Sequence, residues 1–211
     1  MKTTLVVAAT LSASLILTLS AQQRYTPARF AGGAPPGLAP MALGGGQAIV
    51  ELTVSANGNI EKVRPVRTTP PFTQMLLDTL VGWRFTPATE TPFSNDGYPG
   101  LPRDIPSKVI VAAVYRAPVL QGPSQGERPV DVAEPSADVT FPSSLREPDF
   151  PVRARDGGVV MVEVRVNSSG IVAASRVVAS APPFDQPALE AARQWRFRPS
   201  RVAAAPRATR T

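Results

Sequence analysis

Two carboxylates stand at matching places in this chain, Glu51 in A-I-V-E-L-T-V and Glu163 in V-M-V-E-V-R-V. Paired carboxylates are the raw material of general acid–base chemistry. Each of these, however, takes the outward position of an alternating apolar segment, beside Thr53 or Arg165, which is the place of a solvated sheet face. The 211 residues include no His and no Cys, so the imidazole base, the thiolate nucleophile and the soft metal ligands are missing. Gly44-Gly45-Gly46 is not followed by Lys-Ser or Lys-Thr and does not join a strand to a helix, so it is no phosphate cradle. No catalytic residue, metal ligand or cofactor is expected, and the chain is not read as an enzyme.

The remaining chemistry is positive charge. The net charge is +6, and residues 191 to 211 hold six arginines and no acid. Arg193, Arg196, Arg198 and Arg201 form a candidate basic patch, which suits either a solubilising tail or a surface for anionic lipid, acidic polymer or an acidic protein face. Nucleic acid is not expected, because the aromatics beside these arginines are better used as core.

Those aromatics belong to a repeat. Both tryptophans of the chain occur in the phrase W-R-F, at Trp83 and Trp195. Sliding the sequence by 112 positions superposes Val50, Glu51, Val54, Gly58, Arg64, Val66, Pro70, Pro71, Phe72, Gln74, Leu77, Trp83, Arg84, Phe85 and Pro87 on identical residues from Val162 to Pro199, with no gap. So long a period indicates two copies of one small module. Each copy opens with an alternating strand, residues 48 to 54 or 160 to 166. A glycine-bearing turn, S-A-N-G-N or N-S-S-G-I, leads to a second strand over 60 to 66 or 172 to 178, which completes a hairpin. A helix then follows the double proline, with Thr73 or Asp185 as its expected cap and apolar residues at helical spacing. Phe72, Trp83 and Phe85, with Phe184, Trp195 and Phe197, are the expected structural aromatics that plug each helix onto its sheet. K-V-I-V-A-A-V-Y-R, residues 108 to 116, supplies a third strand to module one, whereas module two is expected to lack its last strand.

The fold class is therefore α+β: two small modules, each an antiparallel hairpin or sheet packed on one helix. The expected divisions are a signal peptide or membrane anchor over residues 1 to 21, a flexible Gly/Pro-rich spacer over 22 to 46 and module one over 47 to 117. A Pro-rich acidic linker over 118 to 140, module two over 141 to 202 and a basic tail over 203 to 211 complete them. The first segment carries one lysine and then an uncharged apolar run closing on small residues, which reads as a secretory signal; its length also approaches a membrane span. No cysteine follows it, so it is not a lipoprotein signal. Within the linker, Val130 to Val132 is a short candidate for pairing with a sheet edge.

Taken in order, alternating valines, a glycine turn, a double proline, F-D-Q-P-A-L-E-A-A and W-R-F-R-P resemble the C-terminal domain of TonB and the TonB-like proteins that share it. The resemblance covers about residues 46 to 116 and 141 to 201. It implies a periplasmic or cell-envelope location and a non-enzymatic role, in which an edge strand pairs with a segment of a partner protein such as an outer-membrane receptor. The edge candidates are Val109, Val111, Ala113 and Tyr115 in module one, and Val160, Val162, Val164, Val172 and Val178 in module two. Binding or adapter function toward envelope proteins is the leading expectation, with self-association through module two as a further outcome. The alternative is an energy transducer anchored in the inner membrane, coupled to a motor complex and serving receptor-mediated transport.

Overall fold

A computed structural model describes residues 25–37, 44–92, 98–116, 128–154 and 156–200. The expected signal peptide or anchor, the basic tail and Arg201 lie outside the described residues.

The alternating residues 48 to 54 sit within a longer strand because Gly46 and Gln47, just before them, also find backbone partners on the strand at residues 107 to 115. In chain order the elements are β1 (Tyr25–Thr26), β2 (Arg29–Gly32), β3 (Gly46–Val54), β4 (Ile60–Thr68), α1 (Phe72–Leu80), β5 (Arg84–Thr86), β6 (Ala88–Glu90), β7 (Arg103–Ile105), β8 (Ser107–Tyr115), β9 (Val130–Asp131), β10 (Phe141–Ser144), β11 (Met161–Val166), β12 (Val172–Ala179), α2 (Asp185–Gln194) and β13 (Arg196–Arg198). All paired strands run antiparallel.

The main sheet of module one has the order β8-β3-β4-β9. Strand β3 is paired along its whole length with β8, from Gly46 opposite Tyr115 to Val54 opposite Ser107, and with β4 on its other side. Its alternation sorts side chains between two covered faces. Ala48, Val50, Leu52 and Val54 meet Leu76 and Leu80 of α1 with Trp83 and Phe85, all buried. Ile49 on the other face packs with Val66 and Phe141, against which Ile110, Ala112 and Leu145 also rest. That second face is covered by β10 and Leu145 at the start of module two, so it is not the solvated surface expected from the alternation.

Module two repeats the hairpin and the helix but not the third strand: among the described residues β11 pairs only with β12. The consequence is visible in the core. Trp83 and Phe85 are 4% and 6% exposed, whereas Trp195 and Phe197 are only half-buried, as is Phe184. The expected plug is complete in module one, where Phe30 packs edge-on to Trp83 and Phe85, and incomplete in module two, where Pro142 stands at the position of Phe30.

Part of the expected flexible spacer is ordered. Tyr25–Thr26 pairs with β6, and β2 pairs with β5. The register Arg29 opposite Thr86, Phe30 opposite Phe85 and Gly32 opposite Arg84 recurs 112 residues later as Phe141 opposite Arg198, Pro142 opposite Phe197 and Ser144 opposite Arg196. The structural repeat thus reaches further toward the N-terminus than the sequence repeat. In the linker, Val130 and Asp131 pair with Thr68 and Arg67.

Thr73 and Asp185 do not cap their helices, and neither helix has a side-chain cap. They reach backwards. Thr73 Oγ1 accepts the N–H of Thr69 at 2.9 Å, and the Asp185 carboxylate accepts the N–H of Ala181 at 2.8 Å. Both residues therefore tie down the double-proline turn, whose Pro70–Pro71 and Pro182–Pro183 bonds are cis in the two copies alike.

Candidate partner-strand interface

The W-R-F phrase explains how each hairpin is held. After each helix the chain returns as a short strand, β5 or β13, against the segment that opens the module. The indole N–H of Trp83 donates to the carbonyl of Ala34 at 2.8 Å, and that of Trp195 to the carbonyl of Arg146 at 2.9 Å. Two residues on, the Phe85 N–H donates to the carbonyl of Gly58, and the Phe197 N–H to that of Gly170, both at 2.9 Å. Tryptophan therefore anchors the entering strand, and phenylalanine anchors the hairpin turn. The arginine between them points out, its guanidinium donating to the preceding Trp carbonyl at 2.9 Å in both copies.

The turn glycines are required twice over. Gly58 and Gly170 have φ of +77° and +78°, and a Cβ would stand 1.9 Å from the carbonyl oxygen of Phe85 or Phe197. Left-handed backbone penalises any side chain, and here the contact would also break the clamp on the hairpin. This rigid hairpin presents β11.

The edge of β11 differs from that of its counterpart. Position for position, Val162, Val164 and Val166 correspond to Val50, Leu52 and Val54, which are paired on both sides. On the side where β8 lies in module one, β11 has no strand among the described residues. Unpaired N–H and C=O groups on such an edge are a template for a further strand. Val160, expected within the strand, precedes it. Val172 and Val178 lie on β12, the other edge of this two-stranded sheet. In module one, Val109, Val111, Ala113 and Tyr115 lie on β8, which closes β3 on one side and is the outermost strand on the other. Tyr115 stacks on Phe72 with ring centroids 4.6 Å apart, and burial pushes its phenol up to about 12.

The two carboxylates are ion-pair acceptors. Glu51 is only 5% exposed. It accepts from Arg64 at 2.8 Å, from the Ser136 N–H at 2.9 Å and from the Ser136 hydroxyl at 2.7 Å. Burial pushes its carboxyl up, but the two Ser136 donors and the Arg64 guanidinium together outweigh this and hold it below the usual range. Glu163 keeps the equivalent cross-strand partner, Arg176, and takes Arg29 at 2.9 Å where Glu51 has Ser136. Burial again pushes up, and the two arginines prevail. Both carboxylates hold segments to a sheet face. Among the described residues no group of three or more His, Cys, Asp or Glu could hold a metal ion.

Of the expected basic patch, Arg193, Arg196 and Arg198 are exposed on α2 and β13, and the Arg198 guanidinium lies 5.8 Å from the Phe141 ring centre. The ordered segments β2 and β10 escaped sequence reasoning. Only Phe30, edge-on to Trp83 at 5.0 Å and to Phe85 at 6.2 Å, carried a signal, as an isolated aromatic before the W-R-F partner it packs on.

This geometry defines a class: α+β modules in which an antiparallel sheet packs on one helix. Residues 146–211 match the family described as the Gram-negative bacterial TonB protein C-terminal. One TonB C-terminal-like module is thereby established in the last third of the chain, and module one is its structural likeness. No curated protein and no solved structure matches the chain.

Proposed function

We propose that this protein is a non-enzymatic adapter of the cell envelope that takes up a strand from a partner protein along the open edge of β11. The observation that carries the reading is the contrast between β3, closed on both sides, and β11, closed on one. A partner strand there would occupy the position that β8 takes in module one. It would satisfy the edge backbone and cover the half-buried Trp195 and Phe197. Arg165, exposed on β11, with Arg193, Arg196 and Arg198 on the same module, favours an acidic strand at encounter, while the backbone ladder supplies register.

In this reading module one is the rigid half and module two the receptive half. The division into two modules with a linker is part of it, with the start of module one moved back to Tyr25 because β1 and β2 pair within it. Export to the periplasm follows from the apolar leader and the family matched by module two.

The test compares equivalent positions in the two modules. A photo-cross-linking residue replaces Arg165 on β11 or Thr53 on β3, the position 112 residues earlier. In cells, the expected result is a discrete adduct with an envelope protein from position 165 and none from 53. Equal labelling from both, or from neither, would remove β11 as the interface.

A further inference from the structure

From the contrast between the outer faces of the two hairpins, we propose that the outer face of β11 and β12 is a docking surface for an acidic, extended segment of a partner protein. This surface is the face of the sheet and not its edge. It is therefore separate from strand addition along β11, and either can hold without the other.

Module one shows what such a face takes up. Its outer face is crossed by residues 130 to 138, V-D-V-A-E-P-S-A-D, which carry three carboxylates and no basic side chain. Asp131 accepts from Arg67 at 2.6 and 3.2 Å, Asp138 from Lys108 at 2.8 Å, and the Glu134 carbonyl from Arg64 at 2.7 Å. Ser136 completes the strap by donating to Glu51 through both its N–H and its hydroxyl. An acidic segment thus lies along a face lined by two arginines and a lysine.

In module two the basic face is present and the strap is not. Both oxygens of Glu163 are engaged, Oε1 by Arg29 and Oε2 by Arg176, which stands directly opposite on β12. Arg165, two residues along on the same side of β11, is exposed, stands opposite Ala174 and makes no hydrogen bond or ion pair among the described residues. Three guanidinium groups therefore share one carboxylate, and the side chains of Arg29 and Arg176 are still 49% and 54% exposed. The chain has no acidic strap of its own at the equivalent position. Residues 18 to 26, which precede 130 to 138 by the repeat distance, read T-L-S-A-Q-Q-R-Y-T without a single acid, and Tyr25 and Thr26 pair with β6 of module one. Arg165 and Arg176 are diagonal neighbours across the strand pair, about 7–8 Å apart at the backbone. Side chains of that length can converge on one carboxylate or take two in succession, and the excess positive charge favours either.

The experiment uses the full chain and, as probe, a fluorescent peptide V-D-V-A-E-P-S-A-D, with a neutral version bearing Asn and Gln for comparison. Anisotropy should show saturable binding of the acidic peptide alone, lost at high salt. Arg165→Ala should weaken it on the order of fivefold, while Arg103→Ala, which removes a charge from β7, should not. Amide exchange along β11 should be unchanged by the peptide, because a segment lying on the face takes no backbone bond from the edge. Equal binding of the neutral peptide, or indifference to Arg165→Ala, would overturn the proposal and leave the edge reading untouched. Slowing of the fast β11 amides would also overturn it, assigning the acidic segment to the edge instead. Vesicles rich in phosphatidylglycerol form the last arm: Arg165-dependent binding to these, with none to the peptide, would overturn the proposal in favour of a lipid surface.

Discussion

At the residue scale the two copies make the same bonds with unequal burial, and that inequality is measurable. Trp83 is buried against Phe30 and the α1 stripe, so Trp83→Ala should cost about 3–5 kcal/mol in chemical denaturation. Trp195 keeps the same indole hydrogen bond, but Pro142 stands where Phe30 does in module one and the ring is half-exposed. Trp195→Ala should cost roughly half as much, because less apolar surface leaves water on folding. An equal loss at both sites would mean that the second ring is covered too. Gly170→Ala tests the other half of the clamp. It forces a side chain into left-handed backbone and into the Phe197 carbonyl, for a loss of about 2 kcal/mol or more in the same assay. The sequence marked the glycines and both tryptophans through the repeat. It did not mark the backward-reaching roles of Thr73 and Asp185, since a residue that caps a helix and one that ties the preceding turn have the same type at the same place.

At the scale of elements, the segment from Glu134 to Ser136 is pinned to the outer face of module one by the buried Glu51 carboxylate and Arg64. The folded pKa of Glu51 is lowered from 4.5, so the unfolded chain binds the proton more readily. The stability from this group is therefore present above the ordinary carboxylate range and is lost as pH falls through the folded pKa. The expected outcome is that wild type loses stability below about pH 4.5 more steeply than Glu51→Gln, with amides near Ser136 the first to exchange. A Glu51→Gln protein with the same acid profile as wild type would sink this account. The alternating valines and the glycine turn made the hairpins legible in the sequence, whereas the covering of Ile49 and Glu51 was not. An alternating strand shows which residues share a face, but only long-range packing decides whether water or another segment lies on it. The strands β2 and β10 were hidden for a related reason: four residues with little periodicity become a strand only because β5 and β13 return beside them.

At the scale of the whole molecule, one module completes its own sheet and the other offers an edge. In the proposed binding mode a partner strand pairs with backbone that is already in position, so affinity would depend on rigidity of the hairpin as much as on side chains. Gly170→Ala should accordingly weaken partner capture as well as stability, while Gly58→Ala, in the other module, should lower stability and leave capture per folded molecule unchanged in a cross-linking assay.

The central claim is that β11 has one free edge, and amide hydrogen exchange on dilute full chain addresses it directly. Along β3 every amide should be slow. Along β11 slow and fast amides should alternate, as only one side bonds to β12, and the fast set should become slow when a partner strand is bound. Slow exchange at every amide of β11 in the dilute monomer, matching β3, would contradict the account, because the chain would already have closed the edge itself.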